Sequence, residues 1–273
     1  MFGFLALIPL PLLQAAADAQ QTATEWVEQA DPGTPLWAWL VDLGLIGLLV
    51  VLVLQGFARR RAYRGGLVLS QIQLDAIHAA IVAAEKRTVG EIVPVILDRS
   101  DRYPAADLWC GILFALAGYL SAWALPVEPG SQGLLVVALV CGLAGWLLSR
   151  ALPELRRRFI PPWRLTEMAE EQAFQEFYAQ GLHKTAAQTG VMLFVSLLER
   201  RVIVMADEGI DKLVPEDTWK SVDELVLDEA KAGRLGPGIA AAVARIGELL
   251  ADQFPWQEGD RNEIPDRVIV RKD

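Results

Sequence analysis

The sequence predicts an α/β fold: a small sandwich of a mixed sheet with helices on both faces, interrupted by a transmembrane helical hairpin and preceded by one N-terminal transmembrane helix. Short apolar runs typical of buried strands alternate with helical patterns, and three longer segments are almost free of charge. The first strand-like run directly precedes the second of these segments. Hydrophobic residues make up 53% of the chain and charged residues 22%, a mixture that indicates one part in lipid and one part in water.

The amino terminus has two interpretations. Met1–Leu13 is an apolar run too short to span a bilayer, and Ala17-Asp18-Ala19 resembles a signal-peptidase site, so residues 1–19 are predicted as a signal peptide. No Lys or Arg precedes the run, however, which leaves an uncleaved, membrane-associated start as the alternative. Residues 20–35 are then an extracytoplasmic segment of unassigned role.

Three segments are predicted to cross the membrane, at residues 36–57, 106–125 and 133–149. The first two have the length of a spanning helix, and the third is at the lower limit. The last two form a hairpin, in which the spacings Gly118/Ala122 and Ala138/Gly142 allow close helix contact.

The arginines predict the topology. The first basic residue is Arg59, directly after the first span, and Arg150 and Arg156–Arg158 follow the third, whereas the segment before the first span is acidic. Positively charged flanks remain in the cytoplasm. The chain is therefore predicted to be a multi-pass protein of the bacterial inner (cytoplasmic) membrane with its soluble domain in the cytoplasm.

The first soluble part, residues 67–105, begins with a Ser-x-x-Gln capping box at Ser70, and apolar residues at helical spacing follow to about Arg87. Thr88-Val89-Gly90 is predicted as a turn and Glu91–Leu97 as a buried strand. Because a single strand is not stable alone, this strand must pair with strands encoded after the hairpin.

The second soluble part, residues 160–270, supplies those strands. A helix capped by Thr166 should end near Gly181, and Gly190–Ser196 and Val202–Met205 are predicted to form an antiparallel pair of strands. Two further helices follow, one over 216–232 and one that starts with Pro237 in its first position and ends near Gln253. The polar tail contains an edge strand at about 267–270.

Charge and missing motifs exclude several classes of function. The net charge is −9, and most of the acidic excess follows Phe159, so a nucleic-acid partner is not expected. The sequence contains no phosphate-binding glycine loop, dinucleotide fingerprint, serine-hydrolase elbow, HExxH or CxxC motif.

The candidate site residues follow the predicted strands. Asp98 and Asp101 come after the first strand, Asp207 and Glu208 come after the third, and His183 precedes the second. If these strand ends share one opening, Asp98, Asp207 and Glu208 could bind Ca²⁺ or Mg²⁺ through oxygen ligands. Asp98, Asp101, Asp207 and His183 would then be the catalytic set of a phosphatase. The alternative is structural: the aspartates are ordinary turn residues and His183 ends a helix.

Several short runs of the sequence occur in an order that is characteristic of one family. They are Thr88-Val89-Gly90-Glu91-Ile92-Val93, the runs 181–185, 189–196, 199–202 and 207–210, and Gly259-Asp260-Arg261-Asn262-Glu263-Ile264-Pro265-Asp266. Together they resemble the TPM domain family, which is found in bacterial envelope, chloroplast and animal membrane proteins. The last run is similar to a membrane-anchored bacterial subset with a hairpin inside the domain. The resemblance implies an α/β/α sandwich but no agreed catalytic motif, since some members carry a phosphatase label and others assist the assembly of membrane complexes.

The sequence therefore predicts a non-catalytic interaction or assembly module at the cytoplasmic face, with the lipid bilayer and another membrane or envelope protein as partners. The alternative is a weak phosphatase assisted by a divalent metal ion.

Overall fold

The computed structural model describes residues 47, 50, 51, 53–55, 69–124, 130–259 and 261–271 of the chain. The predicted signal peptide (1–19) and the segment 20–35 lie outside the described residues, as does most of the predicted span 36–57. The described residues of that span are helical.

The described elements alternate between helices and strands, with the hairpin inserted after the first strand. The helices are α1 (Gln71–Glu85), α2 (Pro104–Ala124), α3 (Gly130–Ala151), α4 (Pro153–Arg158), α5 (Pro162–Ala179), α6 (Glu208–Asp211), α7 (Glu216–Lys231) and α8 (Leu235–Gln253). The strands are β1 (Glu91–Leu97), β2 (Gly190–Ser196), β3 (Arg201–Ala206) and β4 (Ile269–Arg271), and a 3₁₀ helix covers Leu182–Lys184.

The strands form one mixed four-stranded sheet in the order β3-β2-β1-β4. β1 pairs in parallel with β2 over its whole length, from Glu91 beside Gly190 to Leu97 beside Ser196. β3 is antiparallel to β2, and β4 is parallel to β1. The prediction that β1 needs partners encoded after the hairpin is confirmed, because all three other strands follow it in the chain.

Pro94 lies inside β1 without breaking the ladder. The Glu91 amide donates toward β2, to the Thr189 carbonyl at 3.1 Å, so even-numbered residues of β1 direct their amide positions toward β4. β4 pairs only with Val95 to Leu97. An N–H at position 94 would therefore point to a part of the β1 edge that has no neighbouring strand, so the proline removes no hydrogen bond between strands.

The two faces of the sheet carry separate apolar cores, as expected for strands whose successive side chains alternate. Ile92, Ile96 and Leu193 face a cluster formed with α1, α7 and α8. Val95 and Phe194 face a second cluster formed with α5. The predicted sandwich with helices on both sides is thus confirmed.

Helices α2 and α3 form an antiparallel apolar hairpin packed through small residues. A Cβ atom at Gly118 would lie 2.5 Å from the Cys141 sulfur, and one at Gly142 would lie 3.1 Å from the Ala115 Cβ. Within the described residues, Pro104–Trp123 and Gln132–Ala151 are the two helical segments long and apolar enough to cross a membrane. The third predicted span is longer than expected, because α3 continues through the polar Ser149 and Arg150 to Ala151.

Two predicted helix starts are wrong. Thr166 does not cap α5, which begins at Pro162; Thr166 lies one turn inside, and its hydroxyl donates to the Pro162 carbonyl. Pro237 is the third residue of α8 and not the first. In each case a proline that lacks an N–H occupies the first turn, where the amide needs no helical partner, so the helix can start earlier.

Candidate functional site

The sheet has two ends with different chemistry. The proximal end, where β1 and β2 finish, joins the hairpin, since α2 starts at Pro104. The distal end, where β1 and β2 begin and β3 finishes, is marked by Glu91, Gly190 and Ala206.

Asp98 and Asp101 lie at the proximal end. The Asp98 amide donates to the Arg271 carbonyl, and its carbonyl accepts from the Leu198 amide. The Asp101 carboxylate accepts from the Arg102 amide at 2.6 Å. Both aspartates therefore take part in the turn between β1 and α2, as the structural alternative predicts.

Asp207, Glu208 and His183 lie at the distal end. Asp207 caps the short α6, with Oδ1 accepting from the Glu208 amide at 2.8 Å. Glu208 is exposed and pairs with Lys212. The His183 ring stacks on Tyr178 with 4.7 Å between ring centroids.

The predicted shared site on Asp98, Asp207 and Glu208 does not form. β3 is antiparallel to β1 and β2, so its carboxyl end lies at the opposite end of the sheet from theirs. Six strand steps separate the two ends, about 20 Å at the usual rise per residue. Among the described residues, no group of three or more His, Cys, Asp or Glu side chains is placed to hold a metal ion. The phosphatase alternative thus loses the arrangement on which it depended.

The distal end instead contains a groove of about 210 Å³ between the end of α1, the start of β1 and the tail. Three carboxyl side chains line it, from Glu85, Glu91 and Asp266, together with Lys86, Trp256 and Asn262. At Gly90 the loop before β1 passes close to α8. Glycine is needed there, because a Cβ atom would lie 2.7 Å from a methyl group of Leu250.

The tail is fixed in place by bonds to the loop between α1 and β1, to the start of β1 and to the loop before β2. The Thr88 hydroxyl donates to the Phe254 carbonyl at 2.6 Å, and the Trp256 amide donates to the Arg87 carbonyl at 3.1 Å. The Glu263 amide donates to Glu91 Oε1, while the Glu263 carboxylate accepts from the Ala186 amide. Residues 261–266 are therefore held against the groove, and Asn262 and Asp266 form part of its lining.

Burial and neighbouring charge alter the Glu85 carboxyl. Its pKa is raised to about 8: burial is the largest cause, the hydrogen bond from the Ile92 amide at 2.9 Å opposes the rise, and the nearby Asp266 and Glu91 carboxylates add to it. Glu85 also hydrogen-bonds to Asp266, which in turn accepts from the Asn262 amide group. With this pKa the Glu85 carboxyl is largely protonated near neutral pH, while Glu91 and Asp266 place two further carboxyl groups in the groove.

Such a groove can accept a cationic side chain or another hydrogen-bond donor. The sequence did not predict Glu85, Trp256 and Asp266 as site residues. They are far apart in the chain, and none of them directly follows a predicted strand. A signal did exist for Glu85: an acidic residue in the last turn of a helix is electrostatically unfavourable unless the fold uses it.

The proximal end is filled by a buried polar network that attaches the hairpin to the sheet. The Tyr103 hydroxyl donates to Glu199 at 2.6 Å, and Ser196 also donates to this carboxylate. One turn into α2, Asp107 forms a buried ion pair with Arg156 at 2.9 Å and accepts from Ser149 at 2.6 Å. These groups are used in holding the structure together, so the open, acidic groove is the better candidate for binding.

Comparison with known proteins finds one family model and a similar solved structure. Residues 164–249 match the family model described as TPM domain, which confirms the predicted TPM domain over that part of the chain. A search of curated proteins finds no match. Among solved structures, the chain is similar to the BA42 protein from the psychrophilic bacterium Bizionia argentinensis, with 19% identity over 74% of this chain and 95% of that one and a TM-score of 0.47.

Proposed function

We propose, from the premise of a TPM domain at residues 164–249, that this chain is a membrane-anchored, non-catalytic interaction or assembly module. It would act at the cytoplasmic face of the bacterial inner membrane. The observation that carries the proposal is the insertion of the apolar hairpin between β1 and β2, the two central strands of the sheet.

The outer surface of the hairpin suits lipid. Large apolar side chains point away from the helix contact along both arms, among them Leu116, Leu139 and Leu143. Without a membrane this surface would be an apolar patch far larger than a water-soluble protein normally exposes. Trp109 and Trp146 near the domain and Trp123 near the other end are exposed, as expected of aromatic residues at the two interfaces of a bilayer.

Charge supports the cytoplasmic orientation. Arg59–Arg61, Arg150 and Arg156–Arg158 all flank the proposed spans on the side of the domain, and such residues stay in the cytoplasm. The hairpin would hold the proximal end of the sheet against the bilayer, so the distal groove would face the aqueous phase.

The groove is the proposed surface for a protein partner. Its carboxyl groups would receive a Lys or Arg side chain, and Trp256, which is 52% exposed, would stack on or cover the partner. A partner held in the same membrane would meet the groove at high effective concentration, so a weak contact would suffice.

A capture experiment from native membranes tests this proposal. The full-length protein, solubilised in mild detergent, should retain a specific membrane or envelope protein, and Trp256→Ala should reduce that capture at least tenfold. Ile72→Ala is the matched control, since Ile72 is 80% exposed but lies in the first turn of α1, away from the groove. Equal capture by all three proteins would contradict the role of the groove.

A further inference from the structure

Most surface cations of the helices on the water-facing side are neutralised by a neighbouring carboxylate. Ion pairs of 2.7–3.2 Å join Lys212 to Glu208, Lys220 to Asp217, Lys231 to Asp228, Arg234 to Glu229 and Arg245 to Glu248. The surface formed by α6, α7 and α8 therefore carries little uncompensated positive charge.

Six of the arginines at the proximal end form two groups. Arg156, Arg157 and Arg200 bind internal partners: Asp107, the Leu198 carbonyl and Glu154. These three side chains join the hairpin to the sheet and are not available to a ligand.

The second group, Arg102, Arg150 and Arg158, is here named the arginine collar. All three residues are exposed, and no carboxylate of the described residues pairs with any of them. The Arg150 guanidinium lies 4.7 Å from the centre of the Trp146 ring. Arg158 donates to the neutral side chain of Gln55 at 3.0 Å.

The collar lies at a defined level of the molecule. Arg102 is two residues before α2, Arg150 is next to the last residue of α3, and Arg158 ends α4. Trp109 and Trp146 lie within about two turns of these residues on the hairpin side, and Trp163 is exposed at the start of α5. Since tryptophan prefers the boundary between hydrocarbon and headgroups, this arrangement places the collar at headgroup level.

We propose that the arginine collar is a binding site for the phosphate groups of anionic phospholipids in the cytoplasmic leaflet. The site rests on the proposed function, because it requires the hairpin to span the bilayer. The planar guanidinium matches phosphate oxygens with two parallel hydrogen bonds. An uncompensated arginine near an anionic surface favours an anionic lipid about fivefold, so the three together select phosphatidylglycerol over phosphatidylcholine.

The experiment uses the full chain in lipid nanodiscs that contain trace spin-labelled phosphatidylglycerol or phosphatidylcholine. Electron paramagnetic resonance measures the fraction of each label that the protein immobilises. Wild type should immobilise phosphatidylglycerol at least fivefold more strongly than phosphatidylcholine, and 1 M NaCl should reduce this preference. The preference should persist with 10 mM inorganic phosphate present, because a bilayer lipid outcompetes a free phosphate ion at this site.

Substitution of the whole collar, Arg102→Gln with Arg150→Gln and Arg158→Gln, should abolish the preference while both labels remain immobilised. Lysine at the same positions should restore only part of it, because an ammonium group keeps the charge but lacks the two parallel donors. The control, Lys231→Gln with Arg234→Gln and Arg245→Gln, should match wild type. A wild type without preference, or a collar variant that keeps it, would overturn the collar alone. Failure to immobilise either label would overturn both the collar and the proposed membrane anchor.

Discussion

Glu85 joins three parts of the molecule through a single carboxyl group. It ends α1, accepts from the first free amide of the β1 edge and shares a hydrogen bond with Asp266 of the tail. Pro94, the next residue of β1 on this edge, has no N–H and needs no hydrogen-bond acceptor. This one side chain therefore covers the stretch of edge that β4 leaves open.

The raised pKa of Glu85 makes folding stability depend on pH. Its folded-state pKa of about 8 exceeds the ordinary value of 4.5, so between these values the folded protein holds a proton that the unfolded chain has lost. The free energy of unfolding should then fall as the pH rises from about 4.5 to about 8. Glu85→Gln keeps the acceptor and removes the titration, so urea unfolding in detergent should show a shallower slope.

Part of the slope should remain in this variant, because burial also raises the pKa of Asp223, to about 7. The matched control is Glu248→Gln on the surface of α8, whose pH profile should follow wild type. A Glu85→Gln profile that parallels wild type from pH 5 to 8 would show that Glu85 titrates as an ordinary exposed carboxyl.

The buried pair of Asp107 and Arg156 provides a second prediction. Asp107→Ala leaves the Arg156 guanidinium buried without its counter-charge, which should lower the free energy of unfolding by about 3–5 kcal/mol. Arg156→Met combined with Asp107→Leu should cost less, because no unpaired charge remains. Thermal unfolding in detergent measures both; equal losses for single and double variants would refute the electrostatic explanation.

At the level of elements, the tail is a structural part of the sheet. β4 pairs with Val95 to Leu97, Glu263 bridges to Glu91 and Ala186, and Arg271 pairs with Glu176 at 2.9 Å. Without these contacts, the central strand β1 becomes an exposed edge. Such edges are sites of aggregation.

Truncation after Gly259 should therefore reduce stability and promote aggregation. Size-exclusion chromatography in detergent should show a shift from the wild-type peak to large assemblies. Removing only Lys272 and Asp273 is the control and should leave the elution profile unchanged. A monodisperse truncated protein with the wild-type melting temperature would show that β1 does not need the tail.

The contact between α2 and α3 depends on small residues. A Cβ at Gly145 would lie 2.6 Å from the Cβ of Phe114, so Gly145→Leu must force the helices apart and should lower the melting temperature in detergent by several degrees. Leu143→Ala, on the outward-facing side, should have a much smaller effect. Equal effects of the two would contradict the packing described for the hairpin.

Most elements could be predicted because their signals are local. The capping box at Ser70, the apolar runs of β1 and β2 and the almost uncharged hairpin arms each lie within one stretch of sequence, and the structure forms the corresponding helices and strands. The errors at Thr166 and Pro237 arose at helix starts, where several residues in succession can begin a helix.

For the whole molecule, the candidate site could not be predicted because it depends on strand direction. Asp98 could lie beside Asp207 only if β1 and β3 ran in the same direction. The sequence predicted that β3 is antiparallel to β2 but not that β1 is parallel to β2, and the two pairings together carry Asp98 and Asp207 to opposite ends of the sheet. The groove that does form joins the end of α1 to a tail more than 160 residues later, as in the bond from Thr88 to Phe254. Such residues come together only when the whole sheet has formed.

The separation of the carboxylates also predicts the outcome of a phosphatase assay. With Mg²⁺ or Ca²⁺, no hydrolysis of a generic phosphoester should depend on both Asp98 and Asp207, since one catalytic site cannot span the length of the sheet. Asp98→Ala and Asp207→Ala are compared with wild type in a colorimetric assay. Turnover lost in both folded variants would contradict this conclusion.

The central claim is that a hairpin crossing the bilayer interrupts a domain that stays on the cytoplasmic side. Labelling of single cysteines with a membrane-impermeant maleimide in intact spheroplasts, in a background where Cys110 and Cys141 are replaced by alanine, tests it most directly. We expect that Glu128→Cys, between the hairpin arms, is labelled at once, whereas Asp228→Cys, on α7, is labelled only after lysis. Labelling of both positions in intact spheroplasts, or of neither, would contradict it.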